Sequence, residues 1–138
     1  MIILDTNIIS ELMKQTPSAE VLAWLDKQEA SALYITTITI AEIAYGINAL
    51  PNNNRKKSLE YAFNKVIQTA FKHRILNFDE PSSHEYGKLM GRRKNLGRPM
   101  SILDGQIAAM TLSQEATLAT KNIRDFSDCD FDLINPFL

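Results

Sequence analysis

Cysteine, glycine and proline are scarce in this chain, and long apolar runs are lacking altogether. Cys129 is the single cysteine among 138 residues, which excludes an internal disulfide and favours a reducing compartment over the small secreted scaffolds. No apolar stretch approaches the roughly 20 residues that span a bilayer. Met1 leads directly into a short apolar run, without the basic start of a signal peptide. We therefore expect a cytoplasmic protein that does not contact membranes.

An excess of charge of one sign is also lacking. The 15 Lys and Arg residues nearly balance the 16 Asp and Glu residues, for a formal net charge of -1. This balance excludes a uniformly basic surface for nucleic acid but leaves room for a local basic patch. Hydrophobic residues make up 45% and charged residues 22%, as in ordinary globular proteins. The length suits a single domain over residues 1–138, and no linker divides it.

Short apolar runs alternate with segments of helical spacing along the chain. Strands are expected at 2–4, 32–36, 74–78, 116–120 and 131–135, and helices at 7–14, 18–28, 38–50, 55–71, 81–96 and 101–114. Ser18 and Thr37 are the expected N-caps, and Leu22, Trp24 and Tyr45 are expected to pack inward. The alternation predicts parallel βαβ units and hence an α/β fold, a three-layer α/β/α sandwich with a mostly parallel central sheet.

Four carboxylates lie at or just beyond the predicted strand ends. Asp5 follows the first strand, Glu42 lies in the helix after the second, Asp104 starts the helix after GRPMS (97–101), and Asp125 follows the strand at 116–120. Because ligands of open parallel sheets bind beyond the carboxyl ends of the strands, we expect the four acids to converge on one edge. Each has a simpler explanation: Asp5 as an N-cap, Asp104 as a capping residue, and Glu42 and Asp125 as solvated side chains.

Clustered acids need a counter-charge, and the sequence supplies none nearby. Neither Glu42 nor Asp104 has a Lys or Arg three or four residues away. Two like charges about 4 Å apart repel by roughly 4 kcal/mol at an effective dielectric constant near 20. A divalent cation with oxygen ligands, Mg²⁺ or Mn²⁺, relieves that repulsion. Zinc is disfavoured because only Cys129 and the distant His73 and His84 offer softer ligands.

Four segments in this order and spacing carry a family resemblance: ILDTNIISEL, ITIAEIAYGI, ILDGQIAA and LATKNIRDF. They resemble the four motifs of PIN-domain nucleases, in particular VapC-type toxins including the FitB-like branch, and the resemblance runs from Ile2 to the INPFL ending. It implies that Asp5, Glu42 and Asp104 are the acidic residues of a metal site. In the fourth motif many relatives carry an acid where this chain has Asn122, and Asp125 matches an acid that other members use. Asn122, Asp125 or both therefore complete the site, with one or two metal ions.

The resemblance also implies an activity and partners. It implies an Mg²⁺- or Mn²⁺-dependent endoribonuclease that hydrolyses RNA phosphodiester bonds, acts as a toxin, is neutralised by a cognate VapB-like antitoxin and forms a homodimer. Asp5 and Asp104 are then the main metal ligands, and Glu42 is a second ligand or orients the attacking water. Thr6, Thr120 and Asn122 are the supporting residues. The hydroxyls of Thr6 and Thr120, next to the strand ends, can hydrogen-bond a carboxylate or a phosphate, and the alternative is that each bonds only to the local backbone.

Polyanionic RNA must approach this acidic site, so basic residues should flank it. The candidate RNA contacts are Arg92, Arg93, Lys94, Arg98 and Lys121. The alternative for residues 92–94 is a solvated helix end, where cations are favourable.

Two other interpretations remain at this stage. One is a catalytically degenerate PIN-like module that only binds RNA or protein. The other is a metal-dependent phosphatase or receiver-like domain, which also places an Asp after the first strand. The phosphatase pattern requires a second acid where this chain has Asn7, and the receiver pattern requires an adjacent pair of acids early in the chain, which is missing.

Overall fold

A computed structural model describes residues 1–138 and shows one five-stranded sheet between two layers of helices. All strand pairs are parallel, in the order β3-β2-β1-β4-β5. The strands are β1 (Ile2–Leu4), β2 (Leu33–Thr36), β3 (Ile75–Leu76), β4 (Thr117–Ala119) and β5 (Leu133–Ile134). The helices are α1 (Thr6–Leu12), α2 (Ala19–Asp26), α3 (Thr37–Asn48), α4 (Asn54–Lys65), α5 (Glu80–Asn95) and α6 (Ile102–Ser113).

Alternating strand residues feed two separate cores. In β1, Ile3 and Leu4 are both fully buried but belong to different clusters, because successive side chains point to opposite faces of the sheet. Leu4 packs with residues of α1 to α4, namely Ile8, Ile9, Val21, Ile43, Ile47 and Phe63. Ile3 packs with residues of α5 and α6, namely Leu89, Ile107 and Ala108. The predicted α/β sandwich and parallel sheet are confirmed.

Some predicted boundaries and inward positions are wrong. The third and fifth strands contain only two residues each, and α4 ends at Lys65, where a π-helical turn continues to Ala70. The side chains of Leu22 and Tyr45 are 40% and 78% exposed. Tyr45 lies about 200° around α3 from the buried Ile43, so it faces solvent. Trp24 does pack against the core on that side of the sheet.

Caps begin the helices close to the predicted positions. Ser18 caps α2 by accepting a hydrogen bond from the Val21 N–H, as predicted. The cap of α3 is Thr36 and not Thr37, because β2 leads into the helix without a loop and the Thr36 hydroxyl accepts from the Thr39 N–H. No helix in the chain combines the length and apolar character that crossing a membrane requires.

A left-handed residue closes the end of α5. Gly97 has a φ of 71°, its N–H donates to the Lys94 carbonyl at 3.0 Å, and the Arg98 N–H donates to the Arg93 carbonyl at 2.9 Å. These two bonds form a Schellman motif, which satisfies carbonyls that the helix end would otherwise leave unpaired. The turn also sets the direction in which the chain leaves α5 for α6.

We expect Gly97→Ala to lower the free energy of unfolding by about 1–2 kcal/mol, because a Cβ is unfavourable in the left-handed region. Urea denaturation measures the change. The matched control is Gly91→Ala in the interior of α5, where an added Cβ meets no atom within 4 Å. That change should stabilise the protein by up to about 1 kcal/mol. Equal effects of the two substitutions would contradict the assigned role of Gly97.

Candidate active site

The carboxyl ends of β1, β2 and β4 meet at one edge of the sheet and border an open cavity of about 400 Å³. The Asp5 N–H donates to the Ala119 carbonyl at 2.9 Å, which holds the end of β1 against the end of β4. Asp5, Glu42 and Asp104 all line the cavity, and Phe137 is its only apolar lining residue. Acids separated by long stretches of sequence are therefore neighbours in the fold.

Asp5 is buried at the floor of this cavity and held on both carboxylate oxygens. Its Oδ1 accepts from the Thr6 N–H at 2.8 Å, and its Oδ2 accepts from the Thr120 hydroxyl at 2.8 Å. It therefore also caps α1, the simpler role considered from the sequence. Burial raises the pKa of Asp5 from 3.8 to about 6, against the two hydrogen bonds, and the charges of Asp104 and Glu42 raise it further.

Glu42 lies on α3 at the end of a chain of threonine hydroxyls. The Thr6 hydroxyl donates to Glu42 Oε1 at 2.9 Å and lies 3.1 Å from the Thr39 hydroxyl, and Thr36 donates to Thr39 at 3.4 Å. Each hydroxyl has one proton, so once Thr6 donates to Glu42, Thr39 donates to Thr6. Each hydroxyl in the series Thr36, Thr39 and Thr6 therefore donates to the next, and Thr6 donates to the Glu42 carboxylate, which orients that carboxylate in the cavity.

Asp104 is half-buried in the first turn of α6. Its N–H donates to the Ser101 hydroxyl at 3.2 Å, so Ser101 is the N-cap of α6. Burial raises the pKa of Asp104, a hydrogen bond with Ser101 lowers it, and the charge of Asp125 raises it. Asp104 thus combines a local position at a helix start with a carboxylate on the cavity wall.

The fourth acid lies beside the cavity and does not line it. Asp125 is exposed on a short 3-10 helix, Ile123–Phe126, and its charge reaches Asp104. Asn122 does line the cavity, and its N–H donates to the Thr120 hydroxyl at 3.0 Å. Asn122, and not Asp125, therefore lines the cavity together with the three acids.

The donor chemistry of the cavity fits a hard divalent cation. Its potential ligands are carboxylate, hydroxyl and amide oxygens, and none of Asp5, Glu42 and Asp104 is paired with Lys or Arg. Burial raises the pKa of Asp5, and the charges of Asp104 and Glu42 raise it further, as expected for carboxylates that no Lys or Arg pairs with. The carboxylates line the cavity but do not form a finished ligand set, because no three Asp, Glu, His or Cys side chains lie close enough together to bind one metal ion.

Two residues of the site were not among the predicted ones. Asn7 Nδ2 lies 3.3 Å from Asp5 Oδ2 and 3.4 Å from the Thr120 hydroxyl, and its Oδ1 accepts from the Lys121 N–H at 3.2 Å. Asn7 thereby ties the first motif to the fourth. Its position two residues after Asp5 was the available signal. The second residue is Thr39, whose hydroxyl lies between those of Thr36 and Thr6. The run of threonines at the end of β2 was the signal for it.

Most of the predicted RNA contacts have other partners. Arg93 is buried, with its Nε donating to the Arg98 carbonyl at 2.8 Å and its Nη1 to the Ser127 carbonyl at 2.5 Å. The prediction for Arg93 is therefore wrong, because a buried guanidinium cannot reach RNA. Arg92 pairs with Asp130 at 2.6 Å, and Arg98 pairs with Asp128.

The remaining basic candidates differ in their distance from the acids. Lys94 is exposed on α5 and does not line the cavity. Lys121 does line it, with its Nζ 5.0 Å from the centre of the Phe137 ring. Lys14, on the same wall, pairs with Glu11 at 2.9 Å. The basic groups next to the acids are thus Lys121 and Lys14.

Comparison with known proteins places this architecture in a family. The family model for the PIN domain matches residues 2–132. VapC ribonuclease Y4jK from Sinorhizobium fredii is 37% identical over 99% of this chain and 98% of its own length. Toxin FitB from Neisseria gonorrhoeae is 36% identical over 99% of both chains. The solved structure of FitAB bound to an IR36 DNA fragment superposes with a TM-score of 0.91, at 36% identity over 100% of this chain and 96% of the other.

An acidic cavity at the carboxyl edge of a five-stranded parallel sheet, together with the match over residues 2–132, defines the class: the chain belongs to the PIN-domain family. Within that family it is a VapC/FitB-type ribonuclease toxin of a toxin–antitoxin system. The predicted family is confirmed, and the phosphatase or receiver-like alternative is wrong.

Proposed function

We propose that this toxin hydrolyses RNA phosphodiester bonds internally and depends on Mg²⁺, with Mn²⁺ as a substitute. The observation that carries the proposal is the convergence of Asp5, Glu42 and Asp104 on one cavity, with no Lys or Arg paired to any of them. Such a set of carboxylates is stable at neutral pH when a cation balances it. We propose cytoplasmic action because RNA substrates are found there.

Asp5 and Asp104 are the residues proposed to hold the cation, with Glu42 as a further ligand and Asn122 or Asp125 completing the set. A divalent cation bound there supplies Lewis-acid polarisation of a phosphoryl oxygen and a lowered pKa for water. One or two ions are compatible with this set of oxygens. Zinc is not, since the cavity offers neither thiolate nor imidazole.

The chain's own residues orient these groups before substrate arrives. Thr6, Thr120 and Asn7 fix the Asp5 carboxylate, so its ligand oxygens need little reorganisation. The threonine chain directs Glu42 into the cavity, where it can accept a proton from the attacking water. Lys121 stands on the cavity wall, where a cation attracts the RNA phosphate.

Removing divalent metal should abolish RNA cleavage by the purified protein, and adding Mg²⁺ or Mn²⁺ in excess of EDTA should restore it. Gel analysis of a defined RNA before and after chelation measures the effect. Asp5→Asn protein, purified identically, controls for contaminating nucleases. Cleavage that persists in EDTA would refute the metal-dependent mechanism. No cleavage under any metal condition would favour the degenerate binding module.

A cognate VapB-like antitoxin is the proposed protein partner, because several structural relatives are toxin–antitoxin complexes. A groove of about 1140 Å³ between α1, α3 and α4 supports this proposal. It continues from the acidic cavity, with Thr6, Ser10, Lys14 and Glu42 lining both. A partner lying in the groove would therefore also cover Glu42.

We further propose a homodimer, with the exposed apolar side chains of Leu22, Tyr45 and Tyr61 as interface candidates.

A further inference from the structure

Arg93 carries a buried charge that the proposed mechanism does not use. Its side chain lies on α5 and is 4% exposed, and it has no carboxylate partner. Its hydrogen-bond acceptors are the main-chain carbonyls of Arg98 and Ser127. Burying a guanidinium is costly unless its donors are satisfied, so this arrangement points to a specific task.

The two carbonyls lie in the segment that leads into the helix of Asp104 and in the segment that follows the helix of Asp125. Arg98 lies in the connection from α5 to Ser101, the cap of α6, whose first turn contains Asp104. Ser127 directly follows the 3-10 helix that contains Asp125. One guanidinium therefore joins the α5–α6 connection to the residue that follows the 3-10 helix.

Exposed ion pairs surround this buried contact. Arg92 pairs with Asp130, and Arg98 pairs with Asp128 and donates to the Ser127 hydroxyl at 3.0 Å. Asp128 and Asp130 both have a φ of 63°, a left-handed conformation that aspartate adopts more readily than most residues but less readily than glycine. Arginines from the end of α5 thus hold the loop after Asp125 in its left-handed turns.

We propose that Arg93 is a positioning residue, which sets the separation of Asp104 from Asp125 so that both carboxylates serve one bound cation. This inference rests on the proposed metal-dependent function. The 3-10 helix that carries Asp125 lies in contact with α6, which carries Asp104. Partners that orient metal ligands typically change metal affinity by roughly 10–100-fold when they are mutated.

Lysine cannot replace Arg93 in this role. The guanidinium is a rigid planar fork that donates from Nε and Nη1 to two different segments. A lysine ammonium keeps the positive charge but is a single point on a flexible chain. Arg93→Lys therefore separates the geometry of the contact from its charge.

The test measures Mn²⁺ binding to the full-length purified protein by isothermal titration calorimetry, with thermal unfolding in EDTA as a second measurement. We expect Arg93→Lys to weaken Mn²⁺ binding roughly tenfold. The matched control is Arg74→Lys: Arg74 also donates to main-chain carbonyls, those of Ala30, Leu33 and Ala70, but it precedes β3, at the opposite edge of the sheet. Both variants should melt at lower temperature, and only Arg93→Lys should lose Mn²⁺ affinity.

The outcomes separate this inference from the proposed function. Wild-type protein that binds no Mn²⁺ would refute the metal-dependent function, and the inference with it. Wild-type binding with unchanged affinity in Arg93→Lys, or with equal losses in both arginine variants, would overturn the inference alone. If Arg93→Lys does not fold, Arg98→Met replaces it, because Arg98 is half-exposed and holds the same loop through Asp128 and Ser127. It should weaken Mn²⁺ binding several-fold, and unchanged affinity would again overturn the inference.

Discussion

Asp5→Asn should lower kcat for RNA cleavage by on the order of a thousandfold or more. The carboxylate is the best-fixed proposed ligand of the cavity, with hydrogen bonds from Thr6 and Thr120 on its two oxygens. An amide keeps the shape of the side chain but removes the negative charge that holds the cation. Metal-ion catalysis supplies several kcal/mol, and each 1.36 kcal/mol is about tenfold in rate. Single-turnover cleavage of a labelled RNA measures the loss.

The matched control for this prediction is Glu11→Gln. Glu11 also lines the cavity, but its carboxylate is already paired with Lys14 at 2.9 Å and accepts from the Ser18 N–H at 2.9 Å. The hydrogen bond from Lys14, and then the one from the Ser18 N–H, hold the pKa of Glu11 below its usual value. Glu11→Gln should therefore retain most of the activity. Similar losses in the two variants would contradict the assignment of Asp5 as a ligand.

The place of Asp5 could be predicted because it depends on local pattern and topology. A short β-branched run followed at once by helical spacing puts residue 5 at a carboxyl strand end. Parallel pairing then brings the ends of β1, β2 and β4 to one edge. Glu42 and Asp104 follow from the same rule. Glu42 lies in α3, which directly follows β2, and Asp104 lies in the first turn of α6, which starts at this edge. Order along the chain and parallel pairing were sufficient for these three residues.

Arg93 could not be placed in this way. Its neighbours in sequence, Arg92 and Lys94, are exposed, and a run of basic residues at a helix end is typical of a solvated face. Its burial depends on Ser127, which is distant in sequence and packs there only in the folded protein. The error for Tyr45 is the opposite one: it was predicted to be buried and is exposed, because the sequence does not show which side of the helix packs against the core. Such tertiary contacts have no periodicity in the sequence.

Metal-free protein should lose stability as the pH rises through the range in which Asp5 ionises. The pKa of Asp5 is about 6 in the folded state, against an ordinary value of 3.8. Between these values the folded protein keeps a proton that the unfolded chain has released, so the free energy of unfolding falls with rising pH. A shift of this size corresponds to about 3 kcal/mol. The burial that raises the pKa of Asp104 acts in the same direction.

Comparison with Asp5→Asn isolates this effect from the other carboxylates, including Glu11 and Asp79, whose pKa values are lowered and which act in the opposite direction. In urea denaturation with EDTA, the variant should gain about 3 kcal/mol relative to wild type between about pH 4 and about pH 7. A stability difference that stays constant over this range would contradict the raised pKa.

At neutral pH, Mn²⁺ at about 100 times its Kd should stabilise wild type by about 2.7 kcal/mol, because it binds only the folded state. Asp5→Asn should gain far less, since the Asp5 carboxylate is the one proposed to bind the cation.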